Sequence, residues 1–456
     1  MSRSADFRYA RAAPRRTPGT VPIEHLEVLF VVLVLALIIN PAILDVLTGS
    51  LPMTGNHRDL GLQQQFLMGD RDNSPVSLVA WPLIYSVSGL LLLWRGLRVE
   101  TLRCAWLALA FCIFLATSAL WSEVPGTSVM RGIHTLGKAI FAIYLVQRFP
   151  LPRVWALLAI SAGAVVAAGW LVGFALPSVA WQGYRGEIAL RGLFTHKSGL
   201  GATAMVLLVL TGAFYLRRIS PSYFPRRLQL ALLALGAPSL LASQSATALL
   251  LSIATVGVIV GGAWVGQGAT PRERRVRLTL LSGGAVFATL AAYASYGFIF
   301  ELLGRDATLS RRTEIWGAII ELGQQKPWLG HGYFGFWRFT PGSGIYEIIM
   351  RENFVAASPH NSYLLAWLDT GWVGLALFLA LVGQAMLRAM RLMIAAPGSL
   401  APVPLAMLLP VLLTGLVESS LFKGQQAGWI VLVIVSVGAG LALRRTRRDE
   451  TAAHLR

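Results

Sequence analysis

Stretches of about twenty residues almost free of charge recur along this chain, and nothing else in the sequence limits its fold as strongly. An α-helix rises about 1.5 Å per residue, so each stretch can cross a hydrocarbon layer about 30 Å thick. A water-soluble core has no use for uninterrupted apolar runs of that length. With 55% apolar and 13% charged residues in 456, chain length is no guide to domain count here.

The windows fall at 26–47, 76–94, 103–120, 131–147, 153–177, 198–216, 229–242, 246–265, 278–300, 362–387, 402–420 and 424–443. They predict an all-α polytopic membrane protein of about twelve transmembrane helices, with a large outer loop between helices 9 and 10. The weakest windows are 229–242, which is short, and 131–147, which carries Lys138. We expect a basic tail at 1–25, a single membrane domain at 26–443 that includes the 301–361 loop, and a second basic tail at 444–456. The first apolar run contains Asn40-Pro41 and Asp45 and lacks a small-residue cleavage site, so it is expected to remain as a helix.

A net charge of +18 could point to nucleic acid, but the basic residues alternate from loop to loop. One side collects 25 of the 39 Lys and Arg, among them Arg15, Arg95, Arg153, Arg227, Arg275, Arg391 and Arg447. By the positive-inside rule that side is cytoplasmic, and both termini lie on it. The basic balance then reflects topology, and no nucleic-acid partner is expected. Cys104 and Cys112 are eight positions apart on one predicted helix, about 12 Å along its axis, so they cannot bridge each other.

The opposite face carries the candidate chemistry. The outer loop 178–197 sets Arg185, Arg191, His196 and Lys197 at the mouth of the sixth span, a cluster suited to a phosphate or diphosphate. Headgroup snorkelling is the plainer alternative. In the large loop, Ser310 to Gln325 reads as an amphipathic helix lying on the membrane surface, with Ile315, Trp316, Ile319, Ile320 and Leu322 on its apolar stripe. Arg305, Arg311 and Arg312 flank its start, where free N–H groups already attract anions.

His360 precedes Asn361-Ser362, a cap for the tenth span, so its imidazole should lie beside the positive end of a long helix. Nearby Arg residues and the helix end disfavour imidazolium, leaving a neutral ring that can accept a proton. Glu418 ends the eleventh span, where an ionisable group usually has a partner or a task; Lys138 and Arg131 are the structural partners it could have. Asp369 and Asp45 are similar cases, and Asp70-Arg71-Asp72 is a weak acidic motif. There is no phosphate loop, dinucleotide fingerprint, His-Glu-x-x-His or Cys-based metal motif, so neither metal nor cofactor is expected.

These residues resemble the O-antigen ligase and polysaccharide polymerase superfamily of bacterial envelope proteins. The resemblance runs from about Leu120 to Phe422 through LWSEVPGTSVMRG, RGLFTHKSGLG, SQSATALL, TLSRRTEIW, PWLGHGYFGFW, HNSYLLAWLDTGWVGL and VESSLF. Within it, RGLFTHKSGLG is most similar to exopolysaccharide polymerases of the succinoglycan type. The resemblance implies a multi-pass protein of the bacterial inner membrane with a periplasmic active site. It also implies that a glycan carried on undecaprenyl diphosphate is joined to an acceptor hydroxyl without a metal. Arg191 and Arg312 would bind the diphosphate and His360 would serve the acceptor.

Arg185, His196, Lys197, Arg305, Arg311, Asn361 and Glu418 are then the substrate-binding candidates. The expected partners are the lipid-linked donor, a glycan or lipid-linked acceptor, membrane lipids and other polysaccharide assembly proteins. Arg311 stands where the family often has Gly, which bears on whether Arg311 or Arg312 meets the phosphate. A ligase acting on lipid A core, a transporter of lipid-linked sugars, or a structural subunit are the competing readings.

Overall fold

The computed structural model describes residues 23–47, 75–184, 187–294, 312–337, 343, 345–346, 358–398, 400–419, 421 and 427–454. Its helices are α1 (Ile23–Ile39), α2 (Ala42–Leu47), α3 (Pro75–Trp94), α4 (Val99–Thr117), α5 (Pro125–Arg148), α6 (Leu151–Ala175) and α7 (Lys197–Leu216). They continue as α8 (Arg226–Ala242), α9 (Ala246–Gly266), α10 (Pro271–Ala294), α11 (Arg312–Gly323), α12 (Ser362–Ala395), α13 (Val403–Val417) and α14 (Ala427–His454).

Eight of these, α3 to α7, α9, α12 and α14, are long and apolar enough to cross a membrane on their own. A helix also meets each of the other four apolar windows: α1, α8 and α13 are shorter, and α10 opens on the charged run PRERRVR. The chain is an all-α, multi-pass membrane protein. Arg residues dominate the ends where α3, α5, α7 and α12 stop, as the alternation of charge requires.

Most of the helices pack through one apolar core that runs from Val31 of α1 to Leu441 of α14, with smaller clusters beside it at α10 and α11. The charged groups that enter it are costly to bury alone and are held by partners, as Glu27 and Lys138 show. Glu27 of α1 is 3% exposed and lies 2.6 Å from Arg95 and 2.7 Å from Arg148, fastening α1 to the ends of α3 and α5. Removing one side of such a buried cluster costs about 3–5 kcal/mol. Lys138, which weakened the fourth window, is buried with its ammonium 5.2 Å from the Trp81 ring of α3. The attraction of a cation for an aromatic face is part of what this span uses to hold the charge.

Two features depart from the sequence expectation. The segment before α7 contains a small antiparallel hairpin, β1 (Trp181–Tyr184) paired with β2 (Glu187–Leu190), with Trp181 opposite Leu190. In addition, α12 is two helices joined at Gly371, whose φ of 63° and ψ of −169° break the helical path. Residues 372–395 alone cover about 36 Å at the α-helical rise, enough to span the hydrocarbon. The piece from Ser362 to Thr370 is therefore an extension that carries His360 and Asn361 at its head.

A backbone break leaves N–H and C=O groups without helical partners, and the loop after α11 satisfies them. Trp372 and Val373 donate their N–H groups to the carbonyls of Pro327 and Trp328 at 2.9 and 3.2 Å, and His331 N–H donates to Leu368 O at 3.0 Å. Gly330 and Gly332, both at positive φ, lie so close to Asp369–Gly371 and to Ser122 that a Cβ would have no room. The glycines of PWLGHGYFG thus let the loop run against the break.

Helix α11 forms as the sequence suggests, but its setting differs. Ile315, Ala318 and Ile319 are buried against Phe336, Ile345 and Leu368, with Leu322 at the edge of the same cluster. Trp316 donates its indole N–H to Pro359 O at 2.8 Å. The stripe expected to face lipid faces protein instead, because the extension of α12 offers an apolar surface beside it. Only Ile320, 43% exposed, points away.

Candidate active site

The Ser362–Thr370 extension positions the histidine. Asn361 Oδ1 accepts the N–H groups of Tyr363 and Leu364 at 2.9 and 3.0 Å, an N-cap that fixes where the helix begins. The cap occupies the oxygen of a side chain expected to meet substrate. His360, just outside it, adopts a φ of 48°, a region that non-glycine residues seldom enter. Such strain persists where surrounding contacts hold it.

The contact here is a hydrogen bond to a carboxylate. His360 Nδ1 lies 3.0 Å from Glu418 Oε2, and both side chains are half-buried. The two elements are tied a second time: Ser362 Oγ donates to the carbonyl of Glu418 at 2.8 Å and accepts the N–H of Leu421 at 3.1 Å. Among the described residues the charged group that meets His360 is thus a carboxylate, where the sequence suggested arginines. Glu418, for which Lys138 or Arg131 seemed the structural partner, reaches His360.

The mouth of α7 adjoins this pair. His196 caps α7, with Nδ1 accepting the N–H of Ser198 at 3.2 Å and pairing with Ser198 Oγ at 2.8 Å. Protein packed against the ring, then the neighbouring Lys197 ammonium and Arg191, hold the His196 imidazole below its usual range, while Glu418 opposes them. His196 is thus a neutral capping group at the mouth of α7. Lys197 is largely buried in the first turn of α7.

Arg191 is built in rigidly. Its N–H donates to Ala180 O at 2.8 Å and its Nε to Val179 O at 2.7 Å, which fixes the plane of the guanidinium. Gly192, at a φ of 58°, lets this turn pack on Gly169 of α6, where a Cβ would come within 2.9 Å of the Gly169 Cα. Arg312 opens α11, as expected of the helix start. Arg185, Arg305, Arg311 and the Asp70-Arg71-Asp72 motif lie outside the described residues, as do the Arg312 and Asp45 side chains.

A second polar nest, which sequence reasoning left unassigned, joins the start of α5 to the PWLGHGYFG loop. Trp121 donates its indole N–H to Leu329 O at 2.9 Å, Tyr333 N–H donates to Ser118 Oγ at 2.8 Å, and the Tyr333 hydroxyl meets Thr135 Oγ1 at 3.1 Å. The Arg131 guanidinium covers the Phe334 ring at 4.0 Å, and buried Asp369 accepts the Phe334 N–H at 3.0 Å. His331 is buried, with its Nε2 3.3 Å from Leu322 O; burial, then the charge of Lys326, push its imidazole below the usual range. The spacing of Arg131, Thr135 and Lys138, three or four residues apart on one helix face, was the signal available for this nest.

The fold and site thus define a multi-pass membrane protein that presents an imidazole–carboxylate pair and a fixed guanidinium at one end of its bundle. Residues 188–379 match the family Wzy_C, described as O-Antigen ligase. The chain is also 26% identical over 279 residues to the exopolysaccharide production protein ExoQ of Rhizobium meliloti, an alignment covering 59% of this chain and 61% of that relative. Over these residues the chain is thus similar to the O-antigen ligase family and to an exopolysaccharide production protein. The family match takes in the α7 mouth, α11 and His360 and ends before Glu418.

Proposed function

We propose that the chain is a glycosyltransferase of the periplasmic face of the bacterial inner membrane. It joins a glycan on undecaprenyl diphosphate to an acceptor hydroxyl, as a polymerase in exopolysaccharide synthesis. The observation that carries this reading is the His360–Glu418 pair at 3.0 Å, at the α7 mouth where Glu418 and Arg191 both act on His196. The likeness to an exopolysaccharide production protein favours polymerisation over ligation to lipid A core. Both termini are then cytoplasmic.

With Glu418 accepting the Nδ1 proton of His360, the Nε2 lone pair is free to take the proton of an acceptor sugar hydroxyl. The acceptor oxygen forms a bond to the anomeric carbon as the bond from that carbon to the phosphate oxygen breaks. The electron pair leaves on undecaprenyl diphosphate, and attack opposite the leaving group inverts the anomeric centre. Arg191 and Arg312 hold the charge that grows on the diphosphate, a role preorganised guanidinium groups serve well. No step draws on a metal or cofactor.

The test is turnover of purified lipid-linked oligosaccharide by Arg191→Ala, Arg312→Ala and His360→Ala variants. Loss in all three, with chain growth on lipid-linked acceptor by the unmodified protein, is the expected result. Full activity in all three overturns the reading.

A further inference from the structure

At the end of the bundle opposite His360, helices α4, α12 and α14 enclose a cleft of about 360 Å³ with an overwhelmingly cationic lining. Arg388 and Arg391 enter it from α12, and Arg444, Arg447 and Arg448 from α14, while Glu100 of α4 is the one carboxylate among the lining residues. Glu100 lies 2.6 Å from Arg448, so its charge is already engaged. Gathering guanidinium groups around one space is unfavourable unless an anion shares it.

The cleft is also shaped. Arg388 Nη1 donates to Cys104 O at 2.7 Å and to Ser436 O at 2.9 Å, which fixes the guanidinium in the wall before any ligand arrives. Gly440 forms the floor, where a Cβ would come within 3.0 Å of Cys104 Sγ and 3.2 Å of Arg388 Cζ. A larger residue there would crowd the cleft.

Its level identifies the anion. From Ala427 to Leu443, α14 has no charged residue, and Arg444 follows directly. That apolar run covers about 26 Å at the helical rise, so the arginines begin where the hydrocarbon ends and lipid phosphates lie. Leu443, also in the lining, offers an apolar wall on the bilayer side. We propose that the cleft binds the phosphate headgroup of an anionic phospholipid, held between α4, α12 and α14. The site is separate from the glycan site and does not depend on the reading given for it.

The experiment is native mass spectrometry of the full chain in detergent with added phosphatidylglycerol, phosphatidylcholine or inorganic phosphate. Phosphatidylglycerol is expected to bind in preference to phosphatidylcholine and to survive an equal concentration of inorganic phosphate. Replacing the exposed Arg444 and Arg447 together by Gln should weaken it on the order of tenfold or more, given the usual attraction of each basic residue to an anionic lipid surface. Arg391→Gln, on the other wall, should weaken it independently. Arg272→Gln with Arg275→Gln removes the same charge from the start of α10 and should change nothing. Unchanged binding in both cleft variants, equal loss in the α10 control, or displacement by inorganic phosphate would overturn the proposal.

Discussion

His360 and Glu418 come from elements 58 positions apart, yet their side chains meet at 3.0 Å and their backbones are held together by Ser362. This arrangement makes Glu418 the orienting group for the imidazole under the proposed mechanism. His360→Ala should lower kcat by about 10²–10⁴, the usual worth of a general base. Glu418→Gln should lose less, because an amide can still position the ring. In the double variant the losses should not add, since the carboxylate acts through the histidine. Additive losses would show that Glu418 works elsewhere.

Arg191 is held through Nε by a backbone carbonyl at 2.7 Å, so its fork is aimed before substrate binds. Lysine lacks the Nε donor and would present a loose point charge. Arg191→Lys is therefore expected to fall close to Arg191→Ala, both lower than the unmodified protein by about 10–10³ in kcat/KM. Rescue by lysine would mean that charge alone suffices.

Two imidazoles outside the spanning helices, His196 and His331, are held below the usual range by their surroundings. In the unfolded chain they protonate as pH falls past about 6.5, while the folded protein resists the proton until lower pH. Over that window the unfolded state binds more protons, so stability present above about pH 6.5 is lost as pH falls. Thermal melts of the detergent-solubilised protein from pH 7.5 to 5 should show Tm falling, with a flatter profile for His196→Asn. An unchanged profile in that variant would remove His196 from the account.

Gly371 combines a φ of 63° with backbone neighbours at Trp328 that leave no space for a Cβ. Gly371→Ala must adopt a disfavoured conformation and also push the PWLGHGYFG loop off the break. The expected cost is about 2–4 kcal/mol, from backbone strain together with lost hydrogen bonds. Tm and resistance to proteolysis should both drop, while Gly383→Ala, which meets nothing within 4 Å, should match the unmodified protein.

The helices were legible because apolar runs in a bilayer are long and lack competing signals. Lys138 lowered one window only because a sequence cannot show that Trp81 stands opposite it. The site was legible residue by residue, through His360, Glu418 and Arg191, but the pairing of the first two was not. It depends on α13 ending beside the head of α12, which no local pattern encodes. His196 was read only as one member of a basic cluster, whereas protein packed against its ring, then the Lys197 and Arg191 charges, disfavours the proton. The break in α12 was hidden for a different reason: Gly371 lies inside the single window 362–387, and its partner loop lies some forty positions earlier.

The placement of α11 separates the sequence expectation from the structure most sharply, through two adjacent isoleucines. Ile319 is fully buried against Leu368 and Phe336, whereas Ile320 is 43% exposed. If α11 is docked on the α12 extension, Ile319→Ala leaves a cavity and should cost about 2–4 kcal/mol, with Ile320→Ala near neutral. A helix lying on lipid would lose similar apolar contact from either change. Because α11 begins with Arg312, undocking it should also raise KM for the lipid-linked donor under the proposed mechanism. Measuring Tm and KM for both variants checks this; equal effects of the two substitutions would return α11 to the membrane surface.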